Sequence, residues 1–172
     1  MLDNKKISSL YKFSEFFPCF DWSEDYGKGK LQDGKIIEGL AILSQHRFSS
    51  EVTELPIQKN IDRWPRISVL HSFSDFTVCN LHLSKHEISR KVSVKKLPYA
   101  DIYAGDFNMF PEEFMKNFPE YDNSYSFKRY ISYPAKDQTL DYVLLKSGDI
   151  KDVRVIPLNF SDHNAIETYI II

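Results

Sequence analysis

"YAGDFNMF", residues 103–110, sets an acid and an amide two residues apart, Asp106 and Asn108, behind the apolar lead-in Ile102, Tyr103, Ala104 and a glycine. The apolar lead-in reads as a strand. The acid and the amide then belong either to a pocket at the strand's end or to a turn that closes it. A calcium loop is excluded, because it needs a further oxygen ligand and a glycine where this chain has Phe110 and Pro111.

Further strands lie to either side. "KIIEGLAILS" reads as one, and "RISVLHSF" and "FTVCNLHL" read as an antiparallel pair joined across Ser74 and Asp75. "LDYVLLK", "VRVIPL" and "AIETYIII" follow as three late strands, with "PEEFMKNF" a short helix that carries Pro111 in its first turn. At the N-terminus, "NKKISSLYKFSEFF" predicts a helix with Ile7, Leu10, Tyr11 and Ser14 on one face, ended by Pro18. Several strands are apolar at nearly every position, which implies burial on both faces. The fold class expected is α/β (α+β), a layered sandwich in which helices cover sheets that pack on one another.

The 172 residues fit one domain, and 42% hydrophobic with 15% aromatic residues exclude a disordered chain. A net charge of −2 excludes the large basic field of a tight nonspecific nucleic-acid binder, while a local basic groove stays open. Cys19 and Cys79 are too far apart for a metal knuckle or redox pair and read as core thiols. "MLDNKKISSLYKF" lacks the apolar stretch of a secretory signal, and no run is long enough to span a membrane. The expected location is cytoplasmic.

Other chemistries fail on spacing. His82 and His86 have the four-residue spacing of a helical zinc site but no acid in the required place between them. "NFSDHNA" holds serine, aspartate and histidine contiguously, whereas a nucleophilic triad converges from separate segments. "YGKGKLQDGK" has glycines and lysines without the spacing of a phosphate-binding loop and reads as a surface loop.

The polar strand ends are more informative together than singly. In order they are "EGLAILS" (38–44), "NLHLS" (80–84), "AGDFN" (104–108), "TLDYVLL" (139–145) and "SDH" (161–163). This series resembles the endonuclease/exonuclease/phosphatase superfamily, the fold of DNase I-like nucleases and their phosphatase relatives, from about Lys35 to the C-terminus. The resemblance implies a four-layer α/β sandwich of two packed, mainly antiparallel sheets flanked by helices. It also implies hydrolysis of a phosphate ester by water with Mg²⁺ or Mn²⁺, for which carboxylates are suitable hard ligands.

Residue by residue, Asp162 matches the family's C-terminal metal ligand, and Asp141 with His163 its aspartate–histidine pair, the imidazole serving as base or as charge stabiliser. Asp106 is expected to orient water or a metal, with Asn108 on the same side of the extended strand holding a phosphate oxygen. His82 matches the family's other histidine, which contacts the scissile phosphate. It places the chain nearer the DNase I, sphingomyelinase and phosphatase side than the abasic-site repair enzymes. The family normally opens with two strands carrying an asparagine and a metal-binding glutamate, and neither has a counterpart here, so the domain over 1–172 is expected to be incomplete at its N-terminus.

Two functions are carried forward. One is a metal-dependent hydrolase of phosphate esters, foremost a phosphodiesterase or nuclease and otherwise a phosphatase or lipid phosphodiesterase. The other is a catalytically impaired remnant that binds or supports. Specificity is expected in the loops Asp21–Lys35, Gln45–Asp62 and Asn117–Gln138. The last interleaves Tyr125, Phe127, Tyr130 and Tyr133 with Lys128 and Arg129, which suits either nucleic acid or packing on the sheet edge. Oligomeric state is not written in the sequence.

Overall fold

The computed structural model describes residues 10–21, 37–62, 64–117 and 130–172. At its centre is a five-stranded sheet in the order β3 (Ser49–Leu55), β4 (Arg66–Ser72), β5 (Thr77–His82), β6 (Ile102–Asp106) and β7 (Asp141–Leu145). Its pairs are antiparallel except β5 with β6, which run parallel. A parallel pair needs a crossover, and here it contains α1 (Glu87–Val94). Two further antiparallel ribbons join β1 (Phe13–Asp21) to β2 (Ile37–Ser44) and β8 (Asp149–Ile156) to β9 (Ala165–Ile171). A second helix, α2 (Pro111–Met115), follows β6.

Where sequence and structure meet, the chain is mainly strand with few helices. The β4–β5 pair turns at Ser74 and Asp75 as the sequence implies, with Phe73 N donating to Phe76 O at 2.9 Å. Two expectations are corrected. Phe13–Asp21 is a strand, because its aromatic residues find a full antiparallel partner in β2, and Pro18 sits where the pairing register shifts, a place that tolerates its missing N–H. The rest of the expected helix, residues 4–9, lies outside the described residues. The Gln45–Asp62 segment is no plain loop either, since it contains β3.

One face of the central sheet buries Leu81, Tyr103 and Leu144 with Phe107, Phe114 and Val94. There Phe107 stacks on Tyr142 with ring centroids 3.9 Å apart and meets Phe114 edge-on at 4.9 Å. On the other face Ile67 and Val69 pack with Leu40, Phe17 and Cys19 of the β1–β2 ribbon. These two packed faces fix the sheet, and the sheet fixes what stands at its end.

Gly105 is part of that mechanism. Its φ of +140° is one that side chains avoid, and a Cβ there would lie 2.0 Å from Leu81 O on β5. The close approach lets β6 run against β5 right up to their shared end. Gly105→Ala should lower stability by more than about 1 kcal/mol in urea unfolding. An unchanged midpoint would show that the strand ends relax freely.

Candidate active site

The parallel pairing of β5 with β6 brings two C-terminal ends side by side, so His82 is in register with Asp106. Antiparallel β7 begins at the same level, and Asp106 is in register with Asp141. Arg66, the first residue of β4, belongs to this end of the sheet too. Strand topology alone thus lines up three of the expected residues. His163 arrives from the turn before β9, and its Nδ1 lies 2.6 Å from Asp141 Oδ2. Together with Asn108 and Asp162 they border one cleft of about 820 Å³, so all six expected residues converge.

The aspartate–histidine pair is held from behind by Ser132. Its buried Oγ accepts from the backbone N–H of Leu140 and Asp141 at 2.8 and 2.9 Å, while its carbonyl accepts from Asn164 N at 2.8 Å. One residue therefore braces both partners, and Tyr133 lies against the imidazole with ring centroids 4.7 Å apart. Burial opposes a charge on His163, but the hydrogen bond and charge of Asp141, helped by Asp106 and Asp162, hold its pKa above the ordinary value.

A second acid–histidine arrangement faces the first, and its acid was missed in the sequence. Glu38 of β2 places Oε1 3.4 Å from His82 Nδ1 and 2.5 Å from Arg66 Nη1. The sequence signal was a lone acid inside the otherwise apolar "IIEGLAIL". His82 Nε2 is 3.5 Å from Asp106 Oδ2. Glu38 favours the imidazolium, yet burial first and the Arg66 guanidinium second, helped by His163, outweigh it, and the pKa falls to about 4. His82 is neutral near pH 7. Arg66→Met should raise that pKa, since it removes a cation and frees Glu38, and ring shifts followed by NMR across pH check it.

Asn108 differs from its sequence reading. Its φ is +50°, so the strand has ended and it shares no extended face with Asp106. Its backbone N–H donates to Asp106 Oδ1 at 2.8 Å, and its side-chain amide donates to Leu83 O at 2.9 Å and Asp106 Oδ2 at 3.2 Å. The motif is both of the things the sequence offered, a turn that also orients the pocket's acid.

Asp106, Asp141 and His163 can each turn a ligand atom to within 4.8 Å of the others. Burial, then repulsion from Asp141, raises Asp106 to about 6. Crowded carboxylates of this kind are the electrostatic counterpart of affinity for a divalent cation, and the oxygen-rich donor set suits a hard one. Asp162 borders the same cleft but is exposed and stands outside this tight group.

No protein-family model and no curated protein matches the chain. Solved structures do. An endonuclease/exonuclease/phosphatase family protein from Leptotrichia buccalis C-1013-b superposes with a TM-score of 0.57 at 16% identity, over 93% of this chain and 72% of that one. The human Nocturnin catalytic domain gives 0.57 at 18%, over 98% and 76%. The chain has the endonuclease/exonuclease/phosphatase fold. In this chain the end of the β5–β6–β7 row is where the cleft lies, and the motifs that first suggested the fold contribute residues that border it. Among the described residues, no helix is long and apolar enough to cross a membrane.

Proposed function

We propose that the chain is a divalent-metal-dependent hydrolase of phosphate esters, acting first of all on phosphodiesters. The observation that carries this reading is the meeting, in one cleft, of the Asp106–Asp141–His163 group with a second acid–histidine set, Glu38 and His82. A tetrahedral anion between them would face a proton-transfer group on either side. The sulfate bound to the Nocturnin catalytic domain is in keeping with this, as a protein of the same fold takes up a tetrahedral anion.

Asp106 and Asp141 would hold Mg²⁺ or Mn²⁺, with the exposed Asp162 as a further oxygen donor. When bound, the ion supplies positive charge to the phosphate oxygens as charge builds on the leaving group. The chain's own residues do the rest. His163, aligned by Asp141 and raised in pKa, takes a proton from attacking water or stabilises the charge on the phosphate as an imidazolium. Neutral His82 donates one N–H to a phosphate oxygen. Asn108 keeps Asp106 oriented through its two hydrogen bonds to that carboxylate. The same reading takes the ribbons and the central sheet as parts of a four-layer sandwich.

The test is hydrolysis of bis(p-nitrophenyl) phosphate with added Mg²⁺ or Mn²⁺ and with EDTA. Metal-dependent release of nitrophenolate supports the proposal. If neither this diester nor a phosphate monoester is turned over, the enzyme reading fails and the fold serves another purpose in this chain.

A further inference from the structure

Polar contacts tie the β1–β2 ribbon to the central sheet near both ends of its ladder. At one end β2 carries Glu38 into the cleft, 3.4 Å from His82 Nδ1. At the other is a chain of side chains that the cleft does not use. Ser50 Oγ of β3 donates to Glu15 Oε2 of β1 at 2.7 Å, and His71 Nδ1 of β4 lies 3.0 Å from the same Oγ.

This chain fixes where a proton can go. The serine has one hydroxyl proton, and Glu15 accepts it. His71 Nδ1 must then be the donor to Ser50, so the neutral ring is the Nδ1–H tautomer and a second proton would land on Nε2. That atom is buried and has no hydrogen-bond partner among the described residues. The whole side chain is buried, in the row that Ile67 and Val69 begin, with the rings of Phe17 and Phe48 at 5.8 and 5.6 Å. Charge around it is sparse. Glu15 is the acid that β1 brings, β2 sets Ile42 beside Glu15, and β5 meets His71 with Val78. Glu51 is on the opposite face of β3 from Ser50, and Arg47, next to Phe48, lies over the Phe13 ring at 5.4 Å. A proton at Nε2 thus places a charge among aromatic rings. Burial lowers the pKa of His71 below 6.5, and the exposed Glu15 offsets this only in part.

We propose that His71 is a pH-sensitive latch of the β1–β2 ribbon: taking up a proton loosens the ribbon from the central sheet and with it Glu38 from the cleft. The latch is independent of what the cleft hydrolyses. A lifted ribbon exposes His71 to water, where its pKa returns to about 6.5. Above that pH the ring is neutral in both forms and the latch is fully closed. As pH falls below it the open form binds the proton first, so the hold on the ribbon weakens until the lowered pKa of the closed form is passed.

Amide hydrogen exchange of the full chain in EDTA, corrected for the intrinsic pH dependence of exchange, measures the opening of Phe13–Asp21 and Ile37–Ser44 at about pH 7.5 and about pH 5.5. Ribbon amides should exchange faster than those of β6. Their opening should rise on acidification by more in the wild type than in His71→Phe, at least about 3-fold more and at most about 10-fold, the limit for one proton bound at a pKa of about 6.5. The acids and histidines of the cleft titrate in both proteins, so the difference belongs to His71. A smaller difference overturns the proposal, and so does a ribbon that opens no more readily than β6. Where His71→Phe fails to fold, nitrogen NMR of the wild-type ring decides. It should find the Nδ1–H tautomer and a midpoint below 6.5. The Nε2–H tautomer, or a midpoint at or above that value, overturns the proposal.

Discussion

Replacing His163 with alanine should lower metal-dependent hydrolysis of a phosphodiester by about 10²–10⁴-fold, the worth of a positioned proton-transfer group. The reason is geometric. Asp141 holds Nδ1 of the ring at 2.6 Å, so the tautomer and the plane of the imidazole are set before substrate arrives. Ser132 fixes Asp141 in turn. His163 is partly exposed, and its removal leaves the packed faces of the central sheet untouched, so the melting temperature should move little. Asp141→Asn adds a second readout. It deletes the charge that lifts the histidine, so the pKa of His163 should fall and the limb of the pH–rate profile it governs should move to lower pH. Undiminished turnover in His163→Ala, with the metal requirement intact, would place the chemistry on the Glu38–His82 side instead.

The parts of this site that were legible in the sequence are those where local chemistry and strand geometry agree. "YAGDFN" announces itself because an apolar run, a glycine and an acid follow one another, and the structure puts the run in β6 with Asp106 at its end, bordering the cleft. β4 and β5 were legible because two apolar runs flank a serine–aspartate turn. α1 was not, for a physical reason. Apart from Val94, the face it buries is polar, with Ser89 accepting from Gln58 N at 3.0 Å, Ser93 donating to Pro56 O at 2.8 Å, and Arg90 donating to the carbonyl of Lys85 at 3.1 Å. A helix held down by hydrogen bonds shows no apolar stripe, and periodicity passes over it.

β1 failed in the opposite way. Ile7, Leu10, Tyr11 and Ser14 fit a helical spacing, but the aromatic residues that follow favour a pleated surface, and pairing with β2 decided between them. Glu38 opens the "EGLAILS" stretch that helped to suggest the fold, but the sequence assigned it no role. Only the fold brings Arg66 and His82 to it. Asn108 shows a finer limit, since two residues on an extended strand share a face only while the strand continues. The strand ends at Asp106, and the amide turns back to support the acid it was expected to accompany.

Metal affinity should fall by about 30-fold between pH 7 and pH 4.5, with the bend near pH 6, because a cation binds the ionised carboxylate and must displace a proton below its pKa. Asp106 sits at about 6 through burial and the nearness of Asp141. A carboxyl at the ordinary value of 3.8 would lose less than about 1.5-fold over the same range, so the size of the fall identifies the group. The sign follows from competition, since raised proton affinity weakens metal binding as pH falls through the raised pKa. The two histidines of the cleft do not imitate the part of this fall that lies below pH 6. His163, raised above 6.5, is already cationic between pH 6 and pH 4.5, and His82 stays neutral until about 4. The slope in that interval belongs to Asp106. Calorimetric titration of Mn²⁺ into the wild-type chain measures it, and Asp106→Asn should remove the bend together with most of the affinity. Affinity that stays level through pH 6 would mean that the ion is held elsewhere, with the exposed Asp162 the first place to look.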